Sequence, residues 1–424
     1  MSKPSGRKSE SSARERAVGV VRALRDAGHE AMFAGGCVRD ELLGLHPTDY
    51  DVATDATPER VGSIFRSTAH VGAHFGVVLV RFGPGESVEV ATFRRDGPYS
   101  DRRRPDEVTF ADAEADAHRR DFTINALFLD PLASADGQDI RGHVVDYVGG
   151  LADLRAGIVR AVGKAHDRFS EDHLRVLRAV RFAARLGFEI EQETSAAIRG
   201  DAAGLVGVSR ERIGQEVCRM MEAPSRAVAA GLLDAHGLDV PVLGKSGKSE
   251  YTRLAGISGD AGVDVALAAW LIDREGLGAS ALTLRRSLCL SNAVYRSVES
   301  ILAGVPRLRH DWENLGIADQ KRLASSDWFA KAVMILRAER PEQARAIETR
   351  VRELESTPGG LHPPPLLEGD RLIGLGYRAG PAFGTVLRAV YDAQLAGEIT
   401  DSSEAEALAR RLMERLEPEG RRGV

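Results

Sequence analysis

The chain has 424 residues, of which 43% are hydrophobic, enough for apolar cores in two to four domains. Its 57 basic and 62 acidic residues give a net charge of −5, which argues against indiscriminate polyanion binding because such binding draws on a basic excess. No stretch has the length of a membrane span, so we expect no membrane contact. The widely spaced cysteines Cys37, Cys218 and Cys289 fit a reduced, cytoplasmic protein.

The N-terminal third alternates helix and strand patterns. An amphipathic helix is predicted from Ser12 to about Gly28, and a short apolar strand follows at residues 31–34. Two further strands are predicted at residues 77–82 and 87–93. This alternation predicts one α/β domain.

Two glycines, Gly35 and Gly36, separate the first strand from a helical pattern that contains Arg39. A glycine pair in this position lets backbone N–H groups approach a phosphate, and the helix N-terminus favours the anion. Arg39 would add a charged contact. The alternative is a tight turn beside a solvated arginine.

Two aspartates, Asp49 and Asp51, stand one residue apart in a run that is predicted to be a strand. Residues i and i+2 of a strand project from one face, so both carboxylates point the same way. Two such carboxylates repel each other unless a cation lies between them, and Mg²⁺ is commonly held by one or two carboxylates plus substrate phosphates. The pattern fits a Mg²⁺ site, although a lone pair of this kind is more often a polar strand end.

The segment from Arg94 to Asp116 is charged, is interrupted by prolines, and is predicted to be a mobile loop over a site. From about residue 150 the pattern is helical, and residues 328–354 are one of its clearer segments. A strong break follows at residues 356–365, before a last helical unit that ends near Leu416.

A helix predicted within residues 171–188 carries one basic face. Arg175, Arg178, Arg181 and Arg185 fall within an arc of about 120° at 3.6 residues per turn. Glutamates are absent from the middle of this face, so the arginines are expected to lack partners on their own helix. A solvated face of an amphipathic helix is the alternative.

Asp172 lies one turn before Arg175 and suggests a way to read a base. An aspartate accepts from an exocyclic amino group, and an arginine donates to the adjacent ring acceptor. Cytosine and adenine present that pair of groups, whereas uracil and guanine present a carbonyl beside an N–H. The pair would therefore favour C and A without a nucleic-acid template.

Six motifs in this order resemble the class II tRNA nucleotidyltransferases, the CCA-adding enzyme family, which also includes bacterial poly(A) polymerases. They cover about residues 30–220. The motifs are GGCVRDELLG with DYD (Gly35 to Asp51), EVATFR (Glu89 to Arg94), RRDFTINAL (Arg119 to Leu127), VDYVGGLADL (Val145 to Leu154), EDHLRVLRAVRFAARLGF (Glu171 to Phe188) and SRERIGQEV (Ser209 to Val217).

The resemblance implies an α/β nucleotidyltransferase head with a mixed β-sheet, followed by an all-α neck, body and tail. The expected divisions are a disordered arm at 1–12, a catalytic head at 13–158, a base-recognising neck at 159–222, a helical body at 223–356 and a tRNA-binding helical tail at 357–424.

The resemblance also implies the chemistry. The enzyme would add CMP and AMP from CTP and ATP to the 3′ end of tRNA, held by its acceptor and T arms. Asp49 and Asp51 would be catalytic and hold two Mg²⁺ ions, with Glu89 as a candidate third carboxylate. The implied nucleotide-binding residues are Gly35, Gly36, Arg39, Arg120, Asp121, Asn125, Asp172, Arg175, Arg178 and Arg181.

Three activities within the family share these motifs: full CCA addition, A addition by one enzyme of a split pair, and poly(A) tailing. A catalytically inactive RNA-binding protein is the rival from another class, and the intact aspartate pair argues against it. The segment Arg94 to Asp116 has full length, which argues against an enzyme limited to adding C. Ile272-Asp273 stands where some relatives carry a His-Asp hydrolase motif, so no such activity is expected.

Overall fold

The computed structural model describes residues 12–70, 76–97, 107–133, 143–247 and 250–416. These described residues form two compact units. The described residues of the first unit lie within Met1–Met220 and Leu232–Ser246, and those of the second lie within Met221–Gly231 and Gly247–Val424. The predicted fold class, a mixed-sheet head followed by an all-α region, is confirmed. The finer division into head, neck, body and tail stays a prediction.

The first unit contains a seven-stranded mixed sheet with strand order β3-β4-β5-β2-β1-β8-β9. Strands β2 and β5 run parallel, and the other neighbouring pairs in this sheet are antiparallel. The seven strands of this sheet are β1 (Ala31–Ala34), β2 (Asp51–Thr54), β3 (Thr68–His70), β4 (Val77–Gly83), β5 (Glu86–Thr92), β8 (Phe128–Leu129) and β9 (Val144–Val145). Two further pairs form separate two-stranded sheets: β6 (Arg94–Asp96) with β7 (Val108–Phe110), and β10 (Ile158–Val159) with β11 (Glu189–Ile190).

Helices are interspersed with the strands up to β11, and the described elements that follow β11 are all helical. They are α1 (Ala13–Asp26), α2 (Gly36–Leu42), α3 (Pro58–Ile64), α4 (Ala113–His118), α5 (Gly150–Ala156), α6 (Ala165–Glu171), α7 (Leu174–Leu186), α8 (Gln192–Asp201), α9 (Arg210–Glu222), α10 (Arg226–Ala235), α11 (Asp239–Leu243), α12 (Thr252–Gly256), α13 (Val263–Glu275), α14 (Leu282–Leu288), α15 (Asn292–His310), α16 (Ile317–Ala324), α17 (Phe329–Glu339), α18 (Pro341–Glu355), α19 (Gly369–Gly374), α20 (Pro381–Ala396) and α21 (Ser402–Leu416).

The start of the first unit is specified by local chemistry. Ser12 caps α1 by accepting from the backbone N–H of Glu15, and the Glu15 side chain accepts from the Ser12 N–H in return. The apolar face of α1 is buried, and all four residues of β1 are buried as well. A strand with no polar face belongs in the middle of a covered sheet, where β1 lies between β2 and β8.

The second unit is helical throughout its described part. Helix α13 is its most buried element, with Trp270 fully enclosed, and it ends at Gly276. Helices α19, α20 and α21 share an apolar core that includes Leu372, Val386 and Met413. None of the helices in the described part of the chain combines the length and apolar character that crossing a bilayer requires.

Two elements differ from the sequence-based expectation. The predicted helix at 328–354 is two helices, α17 and α18, because Pro341 lacks an N–H and starts a new helix instead of extending the old one. The predicted loop from Arg94 to Asp116 is ordered at both ends, where β6 and β7 pair antiparallel and α4 begins at Ala113. Residues 98–106 of that segment lie outside the described residues.

Candidate active site

A cleft of about 550 Å³ opens in the first unit over the middle of the sheet. Its base is formed by Asp51 and Ala53 of β2 and by Glu89 and Ala91 of β5, which we call the carboxylate floor. Asp51 is directly opposite Glu89 in the parallel register of the two strands. Because alternate residues of a strand share a face, each carboxylate is followed on the floor by a small alanine that leaves room for a ligand.

Asp49 lies just outside this regular geometry. Strand β2 begins at Asp51, so the expectation that both aspartates lie on the strand is wrong for Asp49. Asp49 is exposed and accepts a hydrogen bond from the Thr48 hydroxyl at 3.3 Å. It is nevertheless close enough for its charge to raise the pKa of Asp51.

The pKa values of the two floor carboxylates are raised, although both residues are exposed to solvent in the cleft. Desolvation by the surrounding protein raises the pKa of Asp51 to about 6, and the neighbouring charge of Glu89 adds to this shift, whereas Arg120 opposes it. Desolvation raises the pKa of Glu89 as well. Two carboxylates side by side with raised pKa values are a place where a bound cation would relieve repulsion.

The residues present fit a divalent cation such as Mg²⁺. Within the described residues, no group of three or more histidine, cysteine, aspartate or glutamate side chains is assembled as a metal cage. Mg²⁺ does not depend on such a cage, since it commonly takes one or two carboxylates and completes its shell with waters and substrate phosphates. Asp51 and Glu89 supply that pair on the floor, and Asp49 stands two residues away.

The glycine turn at the edge of the cleft is sterically required. Gly35 has φ = 77°, a backbone conformation that other residues rarely adopt. A Cβ atom there would also lie 2.8 Å from Nη1 of Arg120. The Gly35 N–H donates to the Leu127 carbonyl at 3.0 Å, which ties the turn to the segment before β8. Gly35 and Gly36 both line the cleft.

The side of the cleft above the floor is an arginine wall, which consists of Arg39, Arg120, Arg175 and Arg178. Each of these arginines is held by an acidic partner within the protein. The other residues that line the cleft are Ala34, Gly35, Gly36, Val52, Val77, Arg94, Arg119, Asp121, Asn125, Asp172, Leu174, Phe182 and Arg212.

Arg39 is only 2% exposed, so it is a buried member of the wall and not a solvated residue. Its Nε donates to Asp40 Oδ1 at 2.8 Å, and its Nη1 donates to the Asn125 side-chain oxygen. Asp40 also accepts from Arg185 at 3.1 Å. Asp40 therefore links the first helix of the site to the end of α7.

Arg120 is fixed by Asp116 of α4. The Arg120 Nε and Nη2 both donate to Asp116 Oδ2, at 3.1 and 2.9 Å, and Nη1 donates to the Asn125 carbonyl. Burial alone would raise the pKa of Asp116, but Arg120 and Arg119 outweigh it and lower that pKa. Asp116 thus stays charged and fixes the adjacent Arg119 and Arg120.

Asp121 and Arg178, which both line the cleft, form a second ion pair of the same kind. Arg178 donates to Asp121 Oδ2 through Nε at 2.8 Å, and its Nη2 lies 2.7 Å from the same oxygen. Asn125 donates to the other oxygen of Asp121 at 3.1 Å. Burial raises the pKa of Asp121, but the charge of Arg178 and these hydrogen bonds bring it down to about 2.

Three arginines make cation–π contacts with a single aromatic ring, that of Phe182. The Phe182 ring has the guanidinium carbons of Arg39, Arg178 and Arg181 at 5.1, 5.3 and 4.3 Å from its centroid. An arginine over an aromatic face is attracted by the ring quadrupole. Phe182, 5% exposed, is itself fixed by an edge contact with Phe122 at 5.8 Å.

The residues predicted to read the base, Asp172 and Arg175, both line the cleft, but each has a partner of its own. Arg212 grips Asp172 with two bonds, Nη1 to Oδ1 at 3.1 Å and Nη2 to Oδ2 at 2.6 Å. Arg175 donates to Glu171 Oε2 at 2.6 Å. A carboxylate offers about four acceptor positions, so Asp172 can bind Arg212 and a base together.

The expectation that the arginines of α7 lack partners on their own predicted helix holds for Arg178, Arg181 and Arg185 and is wrong for Arg175. Arg175 has Glu171 one turn earlier, and other elements supply Asp121 for Arg178, Asp40 for Arg185 and Glu216 for Arg181. The partners of Arg178, Arg181 and Arg185 come from segments that are distant in sequence, which is why helical spacing alone missed them. The bond from Arg181 Nε to Glu216 Oε2 is 2.7 Å long.

The structure therefore brings most of the predicted site residues into one cleft. Asp51, Glu89 and nine of the ten nucleotide-binding candidates line it, and Asp49 and Arg181 lie beside it. Their catalytic, metal-binding and nucleotide-binding roles stay predictions.

Sequence reasoning missed the residues that hold this array in place. These are Asp116, Phe182, Arg212 and Glu216. A signal was present, since all but Asp116 fall within the motifs quoted for the family resemblance.

Two family models match parts of this chain. A family model described as the poly A polymerase head domain matches residues 31–160. A second, described as a probable RNA and SrmB-binding site of polymerase A, matches residues 187–243. The first match lies within the part of the chain that carries the motifs, and the second begins there and extends past the last motif.

Similar curated proteins are CCA-adding enzymes. That of Geobacillus thermodenitrificans is 34% identical over 408 residues, which cover 95% of this chain and 97% of that enzyme. That of Lactobacillus johnsonii is 43% identical over 239 residues, which cover 56% of this chain and 58% of that enzyme. The latter match thus spans little more than half of the relative.

Similar structures have also been solved. The CCA-adding enzyme of Bacillus stearothermophilus in complex with CTP has a TM-score of 0.78 at 31% identity, covering 96% of this chain and all of that one. The Thermotoga maritima CCA-adding enzyme complexed with tRNA has a TM-score of 0.65 at 18% identity and shows the shared fold. The chain therefore belongs to the CCA-adding enzyme family.

Proposed function

We propose that this chain adds CMP and AMP, taken from CTP and ATP, to the 3′ end of tRNA and so builds or repairs a CCA end without a template. The observation that carries the proposal is the cleft in which Asp51 and Glu89 lie side by side below the arginine wall. Acids that favour a cation beside arginines that favour phosphate are what a nucleotidyl transfer requires.

In this proposal the carboxylate floor binds the metal. Asp49, Asp51 and Glu89 would hold Mg²⁺, with Asp49 and Asp51 as the catalytic pair. Bound there, Mg²⁺ would lower the pKa of the RNA 3′-hydroxyl and neutralise the triphosphate and the leaving pyrophosphate. The carboxylates would orient the 3′-oxygen for in-line attack on the α-phosphorus.

The turn and the arginine wall would hold the nucleotide. Gly35 and Gly36 allow the triphosphate to approach the backbone, and Arg39 contributes charge from behind them. Arg120, with Asp121 and Asn125 beside it, would contact phosphate and ribose. These groups are already oriented by their acidic partners, so binding loses little side-chain freedom.

Base choice would depend on α7 and the residue before it. Asp172 would accept from the amino group of C or A, and Arg175 would donate to the neighbouring ring nitrogen. Arg178 and Arg181 would support the nucleotide from the next turns of the helix. The bidentate bond from Arg212 fixes the Asp172 carboxylate, which favours one orientation of the base edge.

The tRNA would be held mainly by shape. The helical body and tail, residues 223–356 and 357–424, are proposed to contact the backbone of the acceptor and T arms. A net charge of −5 favours such local contacts over generic RNA binding. A cytoplasmic location is part of the same proposal.

One experiment separates the activities that the family motifs share. The chain is incubated with tRNAs that end at the discriminator base, at C, or at CC, with either CTP or ATP alone. A full CCA-adding enzyme extends the first two with CTP and the third with ATP. An enzyme that adds only A extends only the CC substrate, a poly(A) polymerase makes long products with ATP, and an inactive RNA-binding protein extends none.

A further inference from the structure

A chain of side-chain contacts lies directly behind the two aspartates. Tyr50, the residue between them, is 8% exposed and packs its ring on Phe33 of β1 at 5.1 Å between centroids. The Tyr50 hydroxyl donates to Glu41 Oε1 of α2 at 2.7 Å. Arg14 of α1 donates through Nε to the same oxygen, also at 2.7 Å.

These contacts matter because the ladder of the sheet does not reach the whole aspartate pair. The pairing of β2 with β5 begins at Asp51, and its pairing with β1 begins at Val52. Asp49 and Tyr50 precede both ladders. Successive side chains of an extended chain alternate, so the side chain of Tyr50 points away from the cleft that Asp51 faces.

We propose that Tyr50, through Glu41 and Arg14, is a positioning residue that fixes Asp49 and Asp51 for metal binding. The proposal rests on the proposed function, since it assumes that these aspartates hold the metal. Tyr50 does not touch metal or substrate. Its hydroxyl ties the aspartate segment to α2 and, through the shared Glu41 oxygen, to α1.

The hydroxyl carries this role, and the ring alone does not. Ring packing on Phe33 is non-directional and allows the segment to slide, whereas a hydrogen bond to a charged carboxylate sets a direction and a distance. Arg14 is partly exposed, so its ion pair adds little stability of its own. Its contribution is to orient Glu41 as the acceptor for Tyr50.

Helix α2 extends the consequence to the nucleotide. The same short helix carries Arg39, a member of the arginine wall, and Glu41, the anchor of Tyr50. Helix α2 therefore positions one arginine of the wall directly and, through Glu41 and Tyr50, the aspartate segment next to the floor. Loss of the Tyr50 hydroxyl is expected to loosen the metal ligands first, because the acidic and amide partners of Arg39 remain in place.

The test is a titration of the full-length chain with Mn²⁺ alone, in which free Mn²⁺ is followed by electron paramagnetic resonance. Tyr50→Phe is expected to weaken Mn²⁺ binding about fivefold, the usual effect of one lost hydrogen bond. The Mg²⁺ concentration that half-saturates single-turnover incorporation should rise by a similar factor. The thermal midpoint of each variant is measured in parallel.

Tyr295→Phe is the matched control. Tyr295 is 9% exposed in the second unit and donates its hydroxyl to Glu299 Oε1 at 3.1 Å, so the same atom is removed from the same kind of bond. This variant should bind Mn²⁺ as the unaltered chain does. If Tyr50→Phe does not fold, Glu41→Gln tests the same link, because it keeps an acceptor for Tyr50 but loses the charge, and a several-fold weaker Mn²⁺ affinity is again expected.

The outcomes separate the two proposals. Unchanged Mn²⁺ affinity in both Tyr50→Phe and Glu41→Gln, alongside lost binding in Asp51→Asn, would overturn the positioning role and leave the proposed function standing. Full incorporation and Mn²⁺ binding by Asp51→Asn would instead overturn the proposed function. Weaker Mn²⁺ binding by the Tyr50 and Glu41 variants, together with lost binding in Asp51→Asn and unchanged binding in Tyr295→Phe, supports the positioning role.

Discussion

The charged side chains of the floor and of the wall have different neighbours: the acids of the floor lie beside each other, and the arginines of the wall lie beside acids. On the carboxylate floor, Asp51 and Glu89 lie side by side, and the pKa of Asp51 is raised to about 6 by desolvation and by its neighbour. On the arginine wall, Arg39, Arg120 and Arg178 each have an acidic partner. Arg120 only partly offsets the repulsion on the floor, which favours a cation there, whereas the acids of the wall hold its arginines in fixed positions from which they can donate to a phosphate.

The same division separates the residues proposed for the transfer reaction from those proposed to select the nucleotide. In the proposed function, nothing on the floor distinguishes one base from another, because its groups would face a metal and a phosphate that every nucleoside triphosphate shares. The residues proposed to read the base, Asp172 and Arg175, line the wall side of the cleft. Changes to the floor should therefore alter the rate for all nucleotides, and changes at that edge should alter the ratio between them.

The largest expected effect comes from the floor. Asp51→Asn should lower incorporation of CTP and ATP at least about 1,000-fold, because a catalytic metal supplies several kcal/mol of transition-state stabilisation. Binding of tRNA should persist, which a filter-binding assay would show. Asp26→Asn, an exposed change at the end of α1, serves as the control. Near-normal incorporation by Asp51→Asn would remove the basis for the metal site.

A second prediction concerns the pH dependence of the stability that the charged pairing of Asp121 with Arg178 contributes. The pKa of Asp121 is lowered to about 2 in the folded chain, so its pairing stabilises the protein above its ordinary pKa of 3.8 and that contribution is lost as pH falls toward 2. Asp121→Asn should cost about 2 kcal/mol at pH 7, and the difference from the unaltered chain should shrink between pH 5 and pH 3. Urea denaturation across that range measures it. A pH-independent difference would show that Asp121 is not held as a charged partner.

The smallest effect is expected at Phe182. Phe182→Leu keeps an apolar side chain but removes the face shared by three arginines, so the KM for CTP should rise about fivefold with a smaller change in kcat. Phe329→Leu, a similarly buried change in the second unit, should leave the KM unchanged. Steady-state kinetics with both variants make the comparison. Equal KM values for Phe182→Leu and the unaltered chain would contradict the role of the ring.

Local patterns predicted the elements of the fold well where the controlling residues are close in sequence. The start of α1 at Ser12, whose side chain and backbone exchange bonds with Glu15, rests on contacts within a few residues. The order of strands in the sheet does not. It places β5 between β2 and β4, a neighbour relation between distant segments that only the whole core determines.

The difference between local and long-range contacts also explains which site residues the sequence predicted and which it missed. Asp51 and Arg39 belong to recognisable short motifs, whereas their setting depends on residues far along the chain. Asp116 is paired with Arg120 one turn later, but Glu216 reaches Arg181 from another helix, and Arg212 reaches Asp172 across 40 positions. Helical spacing gives the direction of an arginine but not the acid that it meets.

The most direct test of the division between floor and wall is the nucleotide preference of Asp172→Ala. Single-turnover incorporation of CTP and of UTP is measured on a tRNA that ends at the discriminator base. Because one good base-edge contact is worth about 1–3 kcal/mol, the preference for CTP over UTP should fall about tenfold or more while incorporation continues. Arg175→Ala should shift the ratio in the same direction. An unchanged preference in both variants would contradict the account, since base choice would then lie elsewhere in the molecule.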